Sequence, residues 1–272
     1  LEMAANNTYA DLTISAAAYN TNGGSGALQA NDFTLTFAQN LGVATASSIS
    51  SIKKNNNTSE GSAGALTGGE TVIRVFLSVT GSPGGQETIS IKPANGSSIY
   101  NSSGTAMTTS NTISATFNDK NGPNITQTSI ADDNSTVSVT VNETAYNTNG
   151  GSGALQTSDW ALSISGGTAT LSSATPTSIS VSGNIYTLGI GLSGTANGAE
   201  VLSVNPVANS IYDAAGNAST TSQSNNTVNL LDKRWTVKQT LEHDNSGNWN
   251  QIVKMDDNNF LVQYSGYGNY GI

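Results

Sequence analysis

Apolar and polar residues alternate along most of this chain in short runs closed by Gly, Asn or Pro. ADLTIS (10–15), DFTLTFA (32–38), TVIRVFLSV (71–79), ETISIKP (87–93) and NTISATF (111–117) put an apolar side chain at about every second position. That is the period of a strand with one buried face. A second series follows: NITQTSIADDN (124–134), STVSVTVN (135–142), DWALSIS (159–165), TSISVSG (177–183), NIYTLGIGL (184–192), EVLSVNP (200–206) and NNTVNLL (225–231). No window sustains a 3.6-residue period, so helix should be scarce. Roughly seven short strands in each ~110 residues predict an all-β fold of tandem immunoglobulin-like antiparallel β-sandwiches. A small barrel is the alternative arrangement of such strands.

The two series are copies of one another. AYNTNGGSGALQ stands at 18–29 and again, unchanged, at 145–156. At the same offset Asn7 matches Asn134, Leu12 matches Val139, Ile14 matches Val141, and Asp32-Phe33 matches Asp159-Trp160. The offset then shrinks: Ile99-Tyr100-Asn101 matches Ile211-Tyr212-Asp213, and Asn118-Asp119-Lys120 matches Leu231-Asp232-Lys233. Copy one therefore carries about fifteen additional residues, expected within KNNNTSEGSAGALTGG (54–69). The organisation read from this is one module over 1–119, a second over 120–232 and a different segment over 233–272. The first strand of module one is expected to be missing, because copy one starts too late to hold a counterpart of NITQTSIADDN.

Residues 233–272 hold six of the seventeen aromatics and are neutral, whereas the first 232 residues carry the whole net charge of −9. NQIVKMDDNNFLVQYSG reads as a hairpin turning at Asp256-Asp257-Asn258-Asn259. A segment this short buries too little surface to fold alone. It is expected to be a partial third β module, or a donated strand or hairpin. VKQTLEHDN (237–245) is similar to the strand at 124–134, so one copy could complete another by β-strand donation. An arbitrary cut through a longer array accounts for the same pattern, and Leu1-Glu2-Met3 reads as a processing or cloning boundary.

Composition narrows the function classes. Eighteen Asp+Glu against nine Lys+Arg argue against nucleic acid or an anionic membrane surface as partner. There is no cysteine, so no disulfide framework and no thiol chemistry. No apolar run approaches the ~20 residues of a membrane span. Enzymatic chemistry is not expected. The one histidine, His243, stands beside Glu242 and Asp244 with no second His for a zinc site, and no HExxH, GxSxG or phosphate-cradling loop occurs.

SAAAYNTNGGSGALQANDFTL, VNETAYNTNGGSGALQTSDWALSISGG, SIYDAAGNAS and the NDK or LDK junctions resemble bacterial Ig-like repeats of very large cell-surface proteins of the SwmB type. The resemblance covers 4–232. It implies an extracellular array acting in adhesion, motility or a surface coat, often with calcium within or between modules. LEHDNSGNWNQIVKMDDNNFLVQY more weakly resembles the first blade of a β-propeller-like domain.

Calcium takes six to eight oxygens, which such repeats gather where strand ends meet the inter-module junction. The family-matched oxygens of module two are Glu143, Asp213 and Asn217, with Asp232 at the following junction. Copy one has Ala16, Asn101 and Thr105 at the first three positions, so its site should be weak or absent. The competing reading is that Asp213 and Asn217 only shape a turn. Asp119, Asp132 and Asp133 could share a junction cation, or simply be solvated linker acids. The exact repeat is a weaker calcium candidate: Asn20, Asn22, Ser25 and Asp32, repeated as Asn147, Asn149, Ser152 and Asp159, or else a tight Gly/Asn turn. Trp249, Tyr264 and Tyr267 could stack on a glycan, the alternative being that they fill a core. The function expected is a structural or adhesive spacer, or a filament-forming segment, stiffened by calcium. Its partners would be other copies of itself or neighbouring modules. A lectin-like module is the alternative.

Overall fold

The computed structural model describes residues 1–234, 237–240, 250–255 and 261–265, with side chains through residue 234. Module one runs β1 (Glu2–Met3), β2 (Tyr9–Ala18), β3 (Phe33–Ala38), β4 (Ala46–Lys54), β5 (Glu70–Thr80), β6 (Thr88–Pro93) and β7 (Ile113–Thr116). Its two antiparallel sheets are ordered β1-β2-β5-β4 and β3-β6-β7. Module two runs β8 (Ile125–Ile130), β9 (Thr136–Val141), β10 (Trp160–Ser165), β11 (Thr170–Leu171), β12 (Ile179–Ser182), β13 (Ile185–Gly189), β14 (Leu192–Ser193), β15 (Val201–Pro206) and β16 (Thr227–Asn229). Its sheets are β8-β9-β13-β12 and β10-β15-β16, with β11 paired to β14. Both modules thus have the four-plus-three strand order of an immunoglobulin constant-type sandwich rather than a barrel.

The alternation reads directly as burial. β6, β9 and β15 each bury every second residue. The core of module one joins Leu12, Ile73 and Val75 of one sheet to Phe33, Ile89 and Ile91 of the other. Module two joins Val137, Val139 and Leu188 to Trp160, Leu162, Leu202 and Val204. Burial of each such side chain contributes about 1.5–3 kcal/mol.

Three expectations meet the structure here. The additional residues of copy one form the connection between β4 and β5, residues 55–69, where module two turns through Gly183-Asn184 alone. Ala63 and Leu66 of this insertion are buried. Arg74 fastens it: Nη1 donates to the Asn57 carbonyl at 2.7 Å, while Nε and Nη2 hold Asp11 at 2.8 and 2.7 Å. The guanidinium also lies 3.7 Å from the Tyr9 ring centroid. The first strand of module one, expected to be missing, is partly present. Glu2 pairs Asp11 and Met3 pairs Ala10, the register in which Ser129 pairs Ser138 and Ile130 pairs Val137. Only the stretch matching Ile125–Gln127 has no counterpart among the described residues. β4 was not legible as a strand, because its register slips between Ile49 and Ser51. The bulge spaces Ile49 and Ile52 by three and breaks the alternation.

β17 (Val237–Thr240), β18 (Asn250–Met255) and β19 (Leu261–Ser265) form an antiparallel sheet in that order. The strands of the expected hairpin are β18 and β19. The chain divides into two compact units. One is Leu1–Pro123 with Thr148–Ser152 and Tyr212–Ser219; the other holds Asn124–Asn147, Gly153–Ile211 and the described residues from Thr220 onward.

Candidate functional site: a carboxylate turn in the first unit

The turn Asp213–Asn217 closes on itself. Tyr212 and Ala218 form a bridge, and the Asp213 N–H donates to the Asn217 carbonyl at 3.1 Å. Asp213 is 1% exposed. Its Oδ1 accepts from the Asn217 N–H at 2.7 Å and its Oδ2 from Asn217 Nδ2 at 2.7 Å. Asn217 Nδ2 also donates to the Asp119 carbonyl at 3.1 Å, and the Ser219 hydroxyl donates to the Pro123 carbonyl. The Asp119 and Asp213 carboxylates approach within 4.8 Å of each other. Asp119 is fixed by the Asn121 N–H, 2.9 Å from its Oδ1. The turn-shaping reading of Asp213 and Asn217 therefore holds, and it leaves lone pairs on both carboxylates for a cation.

Glu143 belongs to the second unit, half-buried just beyond β9, with Asn142 Nδ2 3.3 Å from its Oε1. Asp232 is paired within its own stretch. Arg234, two residues on, takes both its oxygens, with Nη2 2.8 Å from Oδ2 and Nε 3.1 Å from Oδ1. This pairing holds the Asp232 pKa down to about 2. Asp132 and Asp133 are exposed in the β8–β9 turn. The Ser135 hydroxyl and N–H hold the Asp133 carboxyl below the usual range, and neither acid joins a group of potential metal ligands among the described residues. In copy one Asn101 keeps the turn without the charge, its Oδ1 accepting from the N–H of Ser103 and Thr105 at 3.0 and 2.9 Å.

The exact repeat is a turn. Thr21 bridges Ser25, and the Thr21 hydroxyl donates to the Ser25 carbonyl at 2.6 Å; Thr148 and Ser152 do the same at 2.7 Å. Asp32 and Asp159, the acids of the suggested calcium loop, instead accept the Gln29 and Gln156 N–H at 2.7 Å, capping short 3-10 turns at Ala30–Asp32 and Thr157–Asp159. Trp249, Tyr267 and His243 lie outside the described residues, and Tyr264 is described only as backbone of β19.

Sequence reading passed over Glu87 and Glu200, both 0% exposed. Glu87 Oε1 accepts from the N–H of Ala44 at 2.7 Å, and its Oε2 from those of Gly84 and Gln86 at 3.0 and 3.2 Å. Glu200 Oε1 accepts from Thr168 and Ala169 at 2.8 and 3.0 Å, and Oε2 from Asn197 at 2.9 Å. Burial alone would push the Glu200 pKa up, but the backbone donors outweigh it and bring it to about 2. The same balance holds Glu87 below its usual range. The available signal was the acid that opens both ETISIKP and EVLSVNP.

The chain matches no protein-family model, no curated protein and no solved structure. No helix among the described residues is long and apolar enough to cross a membrane.

Proposed function

We propose that this chain is a structural and adhesive segment of a secreted, repeat-built bacterial surface protein of the SwmB-like kind, a spacer or filament element stiffened by calcium. The observation that carries this reading is the fastening of Asp119–Pro123, the stretch leading out of copy one. Its carbonyls at Asp119 and Pro123 receive Asn217 and Ser219, and Gly122 lies so close to the Ala218 carbonyl that a Cβ has no room. A connection tied to a folded turn suits a chain that transmits force better than one that swings freely. The doubled sandwich architecture and the sequence resemblance support the same reading.

Calcium enters through charge. Two carboxylates within 4.8 Å repel one another, and a hard divalent cation with oxygen preference relieves that repulsion. Asp119 and Asp213 would hold it, with Glu143 the further carboxylate that the sequence assigns. Millimolar calcium is expected to raise the melting temperature and EDTA to reverse the gain, by mass action on the folded state. Asp213→Asn should abolish the response. A melting temperature and a small-angle scattering profile that both ignore EDTA would sink the calcium reading.

A further inference from the structure

Five asparagine–glycine steps occur in the chain, at Asn22, Asn95, Asn121, Asn149 and Asn197. At each of them a backbone nitrogen can attack the preceding side chain, because glycine carries no Cβ to hinder the approach. The fold treats the five differently. Asn95 Oδ1 accepts the Ser97 N–H at 2.8 Å, and Asn197 Oδ1 accepts the Ala199 N–H at 3.0 Å. Asn121 Nδ2 donates to the Ser82 carbonyl at 2.8 Å, while its own N–H is held by Asp119. Asn22 and Asn149, the two steps of the exact repeat, make no side-chain hydrogen bond among the described residues. Both are exposed, as are Gly23 and Gly150. They stand at the centre of turns closed by long bonds, from the Gly24 N–H to the Thr21 carbonyl and from the Gly151 N–H to the Thr148 carbonyl, each at 3.3 Å. The N–H groups of Gly23 and Gly150 meet no acceptor among the described residues.

We propose that Asn22 and Asn149 are twin sites of intramolecular deamidation, with water as the co-reactant. The Gly23 nitrogen forms a bond to Asn22 Cγ and gives up its proton, the Cγ–Nδ2 bond breaks, and ammonia leaves. Water then opens the resulting succinimide at either carbonyl, which yields aspartate or isoaspartate. Asn149 and Gly150 react in the same way. A tied amide must give up its hydrogen bond to swing over the glycine nitrogen, so Asn95, Asn121 and Asn197 are held back. Each product adds a negative charge to its turn, and isoaspartate also routes the main chain through the side-chain carbon. The surroundings leave little slack for that detour. A Cβ on Gly104 would lie 2.4 Å from the Asn22 carbonyl, and one on Gly216 would lie 2.5 Å from the Asn149 carbonyl. Isoaspartate therefore presses on the turn at Asn101 in one copy and on the Asp213–Asn217 turn in the other.

The test incubates the full chain with EDTA at mildly alkaline pH, which favours loss of the glycine proton, and follows each step by peptide mapping. Chymotryptic fragments 20–33 and 147–160 end in Phe33 and Trp160, so the two copies are told apart. Asn22 and Asn149 should convert first, with Asn95, Asn121 and Asn197 slower by roughly threefold to tenfold, the rate equivalent of one hydrogen bond. In urea those hydrogen bonds are gone, and all five should convert at similar rates. An added Cβ at Gly23 or Gly150 meets nothing within 4 Å, so alanine fits there. Gly23→Ala should suppress conversion at Asn22 and leave Asn149 unchanged, and Gly150→Ala should do the reverse. Equal rates at all five steps of the folded chain overturn the proposal. So does a folded chain in which Asn22 and Asn149 stay intact while the urea-unfolded chain converts. The chemistry needs no metal, so either result is separable from failure of the calcium reading.

Discussion

Trp160 opens β10 at the position where Phe33 opens β3, and both are buried. The indole packs on Tyr186 at a centroid distance of 5.8 Å, yet its Nε1 finds no hydrogen-bond partner among the described residues. An orphaned buried donor costs about 1–3 kcal/mol, and shrinking a buried ring costs a comparable amount. Trp160→Phe should therefore change stability by no more than about 1 kcal/mol in urea unfolding; a loss near 3 kcal/mol would show that the N–H is partnered after all. The two copies differ again at Asp11 and Arg74, whose counterparts Ser138 and Thr187 share only a 3.3 Å hydroxyl contact. The invariance of AYNTNGGSGALQ was plain in the sequence, but its cause was not. Gly24 (φ 65°) and Gly151 (φ 66°) sit where a Cβ would press on the Ser102 and Ala214 carbonyls, 2.7 and 2.9 Å away. Glycine is required by partners some 60–80 residues distant. Asp213 and Asn217 were legible because both ends of their contact lie in one short motif. Glu87 and Glu200 were not: a lone acid before a strand looks solvated, and the N–H groups that hold Glu87 and Glu200 come partly from remote loops at Ala44 and Thr168-Ala169.

β3, β5, β6, β9, β10 and β15 were readable to within a residue; β2 runs three residues beyond its sequence run, β8 stops four short of its own, and the bulged β4 was not readable. The insertion was placed correctly because the pairing register brackets it. Ile52 opposite Val75 and Ile179 opposite Leu188 are equivalent pairs, so all the additional residues fall between β4 and β5. That equivalence makes the insertion removable. Replacing residues 56–71 by Gly-Asn would give module one the turn of module two. The loss includes the burial of Ala63 and Leu66, the Arg74–Asn57 contact, the Glu60 hold on Ser50 and Ser51 and the Ala18–Glu70 pairing, offset in part by a shorter loop. The shortened chain should still fold cooperatively, destabilised by on the order of 2 kcal/mol. Denaturant melts together with an amide spectrum in which the residues of module two do not move are the check. Collapse of module one would mean that the insertion is part of its folding core.

Each module keeps one fully buried glutamate whose carboxylate gathers backbone donors from two separate loops, and this makes acid the whole-molecule stress test. Around Glu200 the charged neighbours are Asp232 and Arg234, the latter donating to the Asn197 carbonyl at 3.2 Å; around Glu87 it is Asp119, bridged to Gly84. In the unfolded chain Glu200 titrates near 4.5, and in the fold it holds out to about 2. A depressed folded value means that the stabilisation is complete above the unfolded pKa and fades as pH falls toward the folded one. The melting temperature should thus decline between about pH 4.5 and pH 2, with Glu87 contributing in the same direction. Glu87→Gln with Glu200→Gln removes the charge and leaves an amide facing N–H groups. This variant should melt on the order of 5–10 °C lower at pH 7 and show a flatter profile through the acid range. Single variants separate the modules: Glu200→Gln should flatten only the transition reported by Trp160, while Glu87→Gln leaves it pH-sensitive. An acid profile as steep in the double variant as in the parent would place the acid lability elsewhere, on the exposed carboxylates that give the chain its net charge of −9.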